Sequence, residues 1–313
     1  MRGGAVTVAT VLALATALAF TLFGLGAPNH AVAGHDASSW LWSAVKGEMA
    51  RVNGLTGRVD TRMQVAGAAG HTVQVSQSDR FLVLRDLNTG KVTTVDLATL
   101  QSTAALETPT GLGVTIAMDG DAAFIVDTVQ GVVRQLDPRT LTPVGEPVRY
   151  PPGITGGAFD GDGRLWVAVP TEGTVSAVTP AALEQAPPTA GGVGGGLSPR
   201  LVTTVPVAEP SHDLAVSALD DGVAVLDRTA GTLTVLRGEG RAADGRRQVP
   251  LRLPGLGALP ARTSGAAVPV TVVAERRVYV VTADGVRDFA VPGRGDRLRP
   301  AVAWAGRFYA AAG

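Results

Sequence analysis

Short apolar runs rich in Val, Leu and Phe alternate with polar turn signals along most of this chain, and the runs come in pairs joined through a glycine in a polar loop. The joining glycines are Gly47, Gly90, Gly131, Gly173, Gly231 and Gly285, separated by 43, 41, 42, 58 and 54 residues. An apolar strand precedes each glycine, with an aromatic seven positions upstream in three cases, Trp40, Phe124 and Trp166. A strand of alternating type comes after it, as in residues 91–95 (KVTTV), 132–136 (VVRQL), 174–178 (TVSAV) and 232–236 (TLTVL). Six positions past the glycine stand Asn53, Asp96, Asp137, Thr179 or Arg237. The first four are side chains that bond their own backbone at a turn, so the hairpin ends there.

Upstream of each apolar strand lies another, closed by a tight acidic or glycine turn: Gln77-Ser78-Asp79, Asp119-Gly120-Asp121, Asp160-Gly161-Asp162-Gly163 and Asp220-Asp221-Gly222. The repeating unit is therefore four short antiparallel strands without a helix, and a period of about 40 to 45 residues of this kind marks a β-propeller blade. A pair of β-sandwiches would also place turns every 8 to 12 residues or so, but would not hold one register through six copies. The expected fold is all-β, a propeller of about seven four-stranded blades over residues 36–313. Its last blade is incomplete: Trp304-Ala305-Gly306-Arg307-Phe308-Tyr309 restarts the motif of residues 160–167. The first blade opens at Ser38-Ser39-Trp40 on what is elsewhere the second strand. Both ends thus offer the same strand, which points to a chain that continues beyond Gly313 rather than to one composite blade.

Two Pro/Gly tracts interrupt the period. Residues 186–198 (APPTAGGVGGGLS) fall between the third and fourth strands of repeat four, and residues 254–265 (PGLGALPARTSG) between the last strand of repeat five and the first of repeat six. Both read as loop insertions, which add little closure entropy, and the second is the better candidate for a functional loop.

Residues 1–35 form a separate region. The 21 residues Ala5 to Leu25 carry no charge, long enough as a helix to cross a bilayer. Arg2 holds the leading end in the cytoplasm, so the remainder of the chain is exported. Ala31-Val32-Ala33 ahead of Gly34 also fits a cleavage site, although the apolar stretch is long for a signal peptide. The expectation is a single-pass anchor with the propeller outside the cytoplasm, the alternative being secretion after cleavage near Ala33.

Composition narrows the chemistry. With 27 basic and 27 acidic side chains there is no global field for nucleic acid. With no cysteine there are no disulfides, thiolate metal sites or thiol nucleophiles. G-x-S-x-G elbows, P-loops and H-E-x-x-H motifs do not occur in the sequence. The turn Asp160-Gly161-Asp162-Gly163 begins like a calcium loop, but Arg164 comes next and Thr171 holds the twelfth position where an acid is needed, so a β-turn explains it.

The stretches FDGDGRLWVAVPTEGTVSAVTP (159–180), NTGKVTTVDLATLQ (88–101) and VQGVVRQLDPRTL (129–141) resemble the repeats of the YVTN, SMP-30 and streptogramin-lyase propeller superfamily. The apolar N-terminus, Ala/Gly/Val-rich propeller and open C-terminal end are similar to actinobacterial exported propeller proteins that continue into fibronectin type III modules. Enzymes of this superfamily place His, Glu or Asp ligands for a divalent cation at the mouth of the central channel. Of the four histidines, His30 and His35 lie ahead of the propeller, leaving His71 and His212, each just before a first strand. Of these two, His212 is directly followed by an acid, Asp213, and the pair is able in principle to bind a metal or shuttle protons.

In a propeller, the loops leading into the first strand and those joining the second to the third share a face. His71, Asp86, Asp127, Glu172, His212, Asp213 and Asp227 are therefore expected to cluster there. Arg85 and Arg228 are the neighbouring positive charges, and the set suits a cation or basic peptide better than a phosphate. No metal ligand set and no cofactor is assigned. The functional expectation is a non-catalytic extracytoplasmic scaffold whose partner is a protein or an envelope polysaccharide. The alternatives are a metal-dependent lyase or lactonase, and the propeller part of a fibronectin-linked protein that binds or hydrolyses polysaccharide.

Overall fold

From residue 38 on, runs of five to seven residues rich in Val, Leu and Thr, each cut off by Gly, Asp or Asn, disfavour helix and favour pleated backbone instead. The computed structural model describes residues 38–183, 198–238, 245–293, 298–304 and 306–311, and over them the chain is almost wholly strand. Among the described residues the one helical element is a single 3-10 turn, Pro170–Glu172. No helix there is long and apolar enough to cross a membrane. The segment Ala5 to Leu25, on which the membrane expectation rests, lies outside the described residues.

Among the described residues the strands form seven antiparallel sheets in chain order. The first holds β1 (Ser38–Ser43), β2 (Glu48–Asn53) and β3 (Val59–Gln64). The second holds β4 (Val73–Gln77), β5 (Phe81–Asp86), β6 (Lys91–Asp96) and β7 (Gln101–Glu107). The third runs β8 (Val114–Asp119), β9 (Ala122–Asp127), β10 (Val132–Leu136) and β11 (Val148–Arg149). The fourth runs β12 (Thr155–Phe159), β13 (Leu165–Val169), β14 (Thr174–Thr179) and β15 (Arg200–Pro206). The fifth has β16 (Leu214–Leu219), β17 (Gly222–Asp227), β18 (Thr232–Arg237) and β19 (Arg246–Pro250). The sixth has β20 (Gly257–Ala258), β21 (Val268–Val272), β22 (Arg277–Thr282) and β23 (Gly285–Ala290). The last is the hairpin β24 (Val302–Trp304) and β25 (Arg307–Tyr309).

First strands stand side by side, β4 against β8, β8 against β12 and β12 against β16, while the fourth strands β7 and β15 face outward and are largely exposed. This is the radial arrangement of a propeller, and its core is divided into wedges between neighbouring sheets rather than gathered in one centre. Trp40, Trp42 and Met49 of the first sheet pack on Val73, Val75 and Leu82 of the second. Phe124 and Val126 of the third pack on Phe159 and Leu165 of the fourth, with the two Phe rings tilted at 5.8 Å between centroids. Trp166 and Ala168 then meet Leu214 and Val216 of the fifth. Each fully buried large side chain contributes about 1.5 to 3 kcal/mol, so the wedges hold the sheets together without disulfides.

The recurrent glycine has two physical reasons. Gly131 sits at φ +70°, and a Cβ there would come within 2.3 Å of the Tyr150 carbonyl oxygen. The closeness arises because Tyr150 N–H donates to the Gly131 carbonyl at 2.8 Å, tying the end of the fourth strand to the turn between the second and third. Leu251 N–H and the Gly231 carbonyl repeat the bond at 2.7 Å.

The sixth repeat departs from the expected pattern. Gly285 opens β23, at the turn between the third and fourth strands β22 and β23. The turn position is held by Arg276, 45 residues after Gly231, with φ +49°. Its carbonyl accepts Val291 N–H at 2.7 Å, the same bond made by the glycines. The tract 254–265 is correspondingly no simple insertion. It contains β20, and Arg262 forms a parallel bridge with Ala218 of β16. Ala218 N–H donates to the Ala261 carbonyl at 2.8 Å, and Thr263 N–H to the Ala218 carbonyl at 3.0 Å. Gly/Pro-rich residues thus serve as the first strand of the sixth sheet, a role their composition hides. Most of the other tract, residues 184–197, lies outside the described residues.

Candidate functional site

The turn between second and third strands is built by an aspartate that ends the second strand. Asp86 Oδ1 accepts the N–H groups of Asn88 (2.9 Å) and Thr89 (3.3 Å), and Asp227 Oδ1 accepts those of Thr229 (3.0 Å) and Ala230 (2.8 Å). The other oxygen of each reaches back to the histidine ahead of the first strand. His71 Nδ1 lies 2.7 Å from Asp86 Oδ2, and His212 Nδ1 lies 2.7 Å from Asp227 Oδ2. The same device therefore recurs in sheets two and five. A carboxylate at that distance fixes the proton on Nδ1 and leaves Nε2 as the free ring nitrogen.

Burial raises the Asp86 carboxyl, but donation from His71, Asn88 and Thr89 outweighs it and holds the group below the usual carboxylate range.

The remaining expected residues each make local contacts. Asp127 Oδ1 caps its own turn through Gln130 N–H at 2.8 Å. Glu172 is exposed in the 3-10 turn. Asp213 pairs with Arg228 at 3.1 Å. Arg85 is wholly buried and donates to Thr108 Oγ1 (3.0 Å) and to the carbonyls of Pro109 (2.6 Å) and Gly111 (2.9 Å). Its guanidinium is thus a strut for the chain leaving the second sheet, and brings no charge to a ligand.

At the opposite end of the first strands, the acidic turns are structural. Asp160 is fully buried. It accepts Trp166 Nε1–H at 2.7 Å and the N–H groups of Asp162 (3.0 Å) and Arg164 (2.9 Å). Burial raises its carboxyl above the ordinary value against those donors. Burial likewise raises Asp119, Arg262 opposing and Asp160 adding to the shift.

Beside His212 the surface opens into a cleft of about 300 Å³ between the ends of sheets four and five. Its walls include Val207, Ala208, Glu209, Thr232, Arg246 and Gln248. Arg246 is turned onto the Pro206 carbonyl at 3.0 Å, and Gln248 Nε2 onto Thr232 Oγ1 at 3.4 Å. Glu209, Arg246 and Gln248 carry no repeat signal. Glu209 stands three residues ahead of His212, and Arg246 and Gln248 lie on β19, the outer strand of the sheet that His212 leads into.

A divalent cation of the kind used by the lyase-type propellers does not fit these residues. The paired carboxylates are committed to ring and backbone N–H groups, and among the described residues no group of three or more His, Asp or Glu is placed to hold a metal.

Comparison with known proteins agrees with the fold. No family model and no curated protein sequence matches the chain. Solved structures do. A streptogramin B lyase superposes with a TM-score of 0.59 at 12% identity, covering 93% of both chains. The virginiamycin B lyase from Staphylococcus aureus gives 0.59 at 11% identity over 90% of both. A dihydro-heme d1 dehydrogenase gives 0.55 at 15% identity over 89% of this chain and 57% of its own. The chain is a β-propeller similar in architecture to these proteins.

Proposed function

We propose that this propeller is a non-catalytic, extracytoplasmic interaction scaffold at the cell envelope, held by its N-terminal apolar segment and binding a protein or an envelope polysaccharide. The observation that carries this reading is the recurrence of the His–Asp bond in sheets two and five, with the carboxylates further tied to backbone N–H groups. Groups used twice at one structural position serve the turn, and a reaction centre would be expected at one place only. Calorimetry with magnesium and manganese, alongside an assay for streptogramin B turnover, tests the absence of catalysis. The expected result is no binding heat and no turnover. Cation-dependent turnover abolished by His212→Ala would replace the scaffold with an enzyme. Placement outside the cytoplasm is checked by protease treatment of intact cells, which should degrade the propeller while a cytoplasmic marker survives.

A further inference from the structure

We infer that the cleft between sheets four and five is a receptor for a primary ammonium group on an alkyl stem, as presented by a lysine side chain of the partner. This rests on the scaffold reading and names the chemistry of its contact. Three features of the cleft converge on such a group.

The first is the imidazole. With Nδ1 held by Asp227 at 2.7 Å, the His212 ring in its neutral form has its Nε2 lone pair left to accept a hydrogen bond. Asp227 is itself almost fully buried, at 5% side-chain exposure, and fixed by the N–H groups of Thr229 and Ala230, so the ring is preorganised. The second is Glu209, which lines the same cleft. Its exposed carboxylate takes part in no ion pair or side-chain hydrogen bond among the described residues. Gln248 adds an amide oxygen once its nitrogen is committed to Thr232.

The third is the wall. Val207, Ala208 and Ala230 line the space, which suits a methylene stem better than a compact ion. Arg246 directs one of its five N–H donors to the Pro206 carbonyl. An ammonium offers three donors and no acceptor, which matches Glu209, His212 and Gln248 in number and kind. A bare metal ion would leave the apolar wall unused.

His71 supplies an internal control. It makes the same bond to Asp86 in sheet two, outside this cleft. The test is titration of the wild-type protein with Nα-acetyl-lysine N-methylamide, monitored by heteronuclear NMR, with the norleucine analogue as the uncharged comparison. Expected is saturable binding of the lysine probe with shifts at residues 206–212, 230–232 and 246–248, and at least tenfold weaker binding of the norleucine analogue. Glu209→Gln and His212→Gln should each weaken binding about tenfold, equivalent to roughly 1.4 kcal/mol, while His71→Gln leaves it unchanged.

Glu209 makes no side-chain bond among the described residues, so its variant folds and decides the matter even where His212→Gln is destabilised. The inference is overturned if the wild type shows no saturable shift up to the solubility of the probe, if norleucine binds equally well, or if Glu209→Gln has no effect. None of these outcomes would make the protein an enzyme, so the scaffold reading stands or falls separately, on the turnover assay.

Discussion

Two aspartates show how one residue type takes opposite electrostatic roles according to its surroundings. For Asp119, burial raises the carboxyl, Arg262 opposing the rise and Asp160 adding to it. A carboxyl raised in the folded state contributes stability below its unfolded value, and that contribution is lost as pH rises through the folded value. Asp119→Asn should therefore raise the melting temperature at neutral pH, by a gain under about 1 kcal/mol because the group is still partly solvated, and the gain should vanish below about pH 4. Asp86 has the reverse sign: its carboxyl is held low, so its stabilisation is present above the unfolded value and lost as pH falls through the folded one. Asp86→Asn should lower the melting temperature at neutral pH and converge on the wild type in acid. Thermal unfolding of both variants across pH checks the pair, and parallel shifts independent of pH would contradict the assignment.

At the scale of the element, the hairpin turn and the strand behind it form one unit. Substituting Gly131 by Ala imposes both a left-handed backbone and a collision with the Tyr150 carbonyl, so it should cost at least about 2 kcal/mol. Gly70 has φ +81° but no atom within 4 Å of a Cβ, and its Ala variant should cost only the conformational part, about 1 kcal/mol. Denaturant unfolding of the two variants separates crowding from backbone strain, and equal losses would show that crowding contributes nothing. Arg276 bears the conformational cost within the wild type. Its side chain offsets part of it through Nη2 donation to the Pro292 carbonyl at 3.2 Å, which explains how a non-glycine persists there.

For the molecule as a whole, stability lies in the wedges between sheets, so what matters about a segment is which neighbours it joins. Residues 254–265 bridge β16 through Arg262 and bond the last hairpin through Thr263 Oγ1, which accepts Ala303 N–H at 3.0 Å. Excising them should lower the melting temperature by more than about 8 °C or abolish cooperative unfolding, where a surface loop would shift it by only a few degrees. Circular dichroism melting measures this directly, and an unchanged transition would return the tract to the status of an insertion.

The four-strand unit, its turns and its period were legible in the sequence. Alternating apolar residues and turn-forming Asn, Asp and Gly act over a few neighbours, and Asn53, Asp96 and Asp137 cap their turns as their types imply. Three things were decided only in the folded chain. Residues 254–265 became a strand because an edge of β16 and of β21 was there to pair with. Arg276 took a glycine's position because the sheet around it imposes the conformation. Arg246 and Gln248 came to line the cleft with His212 because β19 pairs on the outer edge of the fifth sheet far along the chain, a pairing that no local pattern encodes.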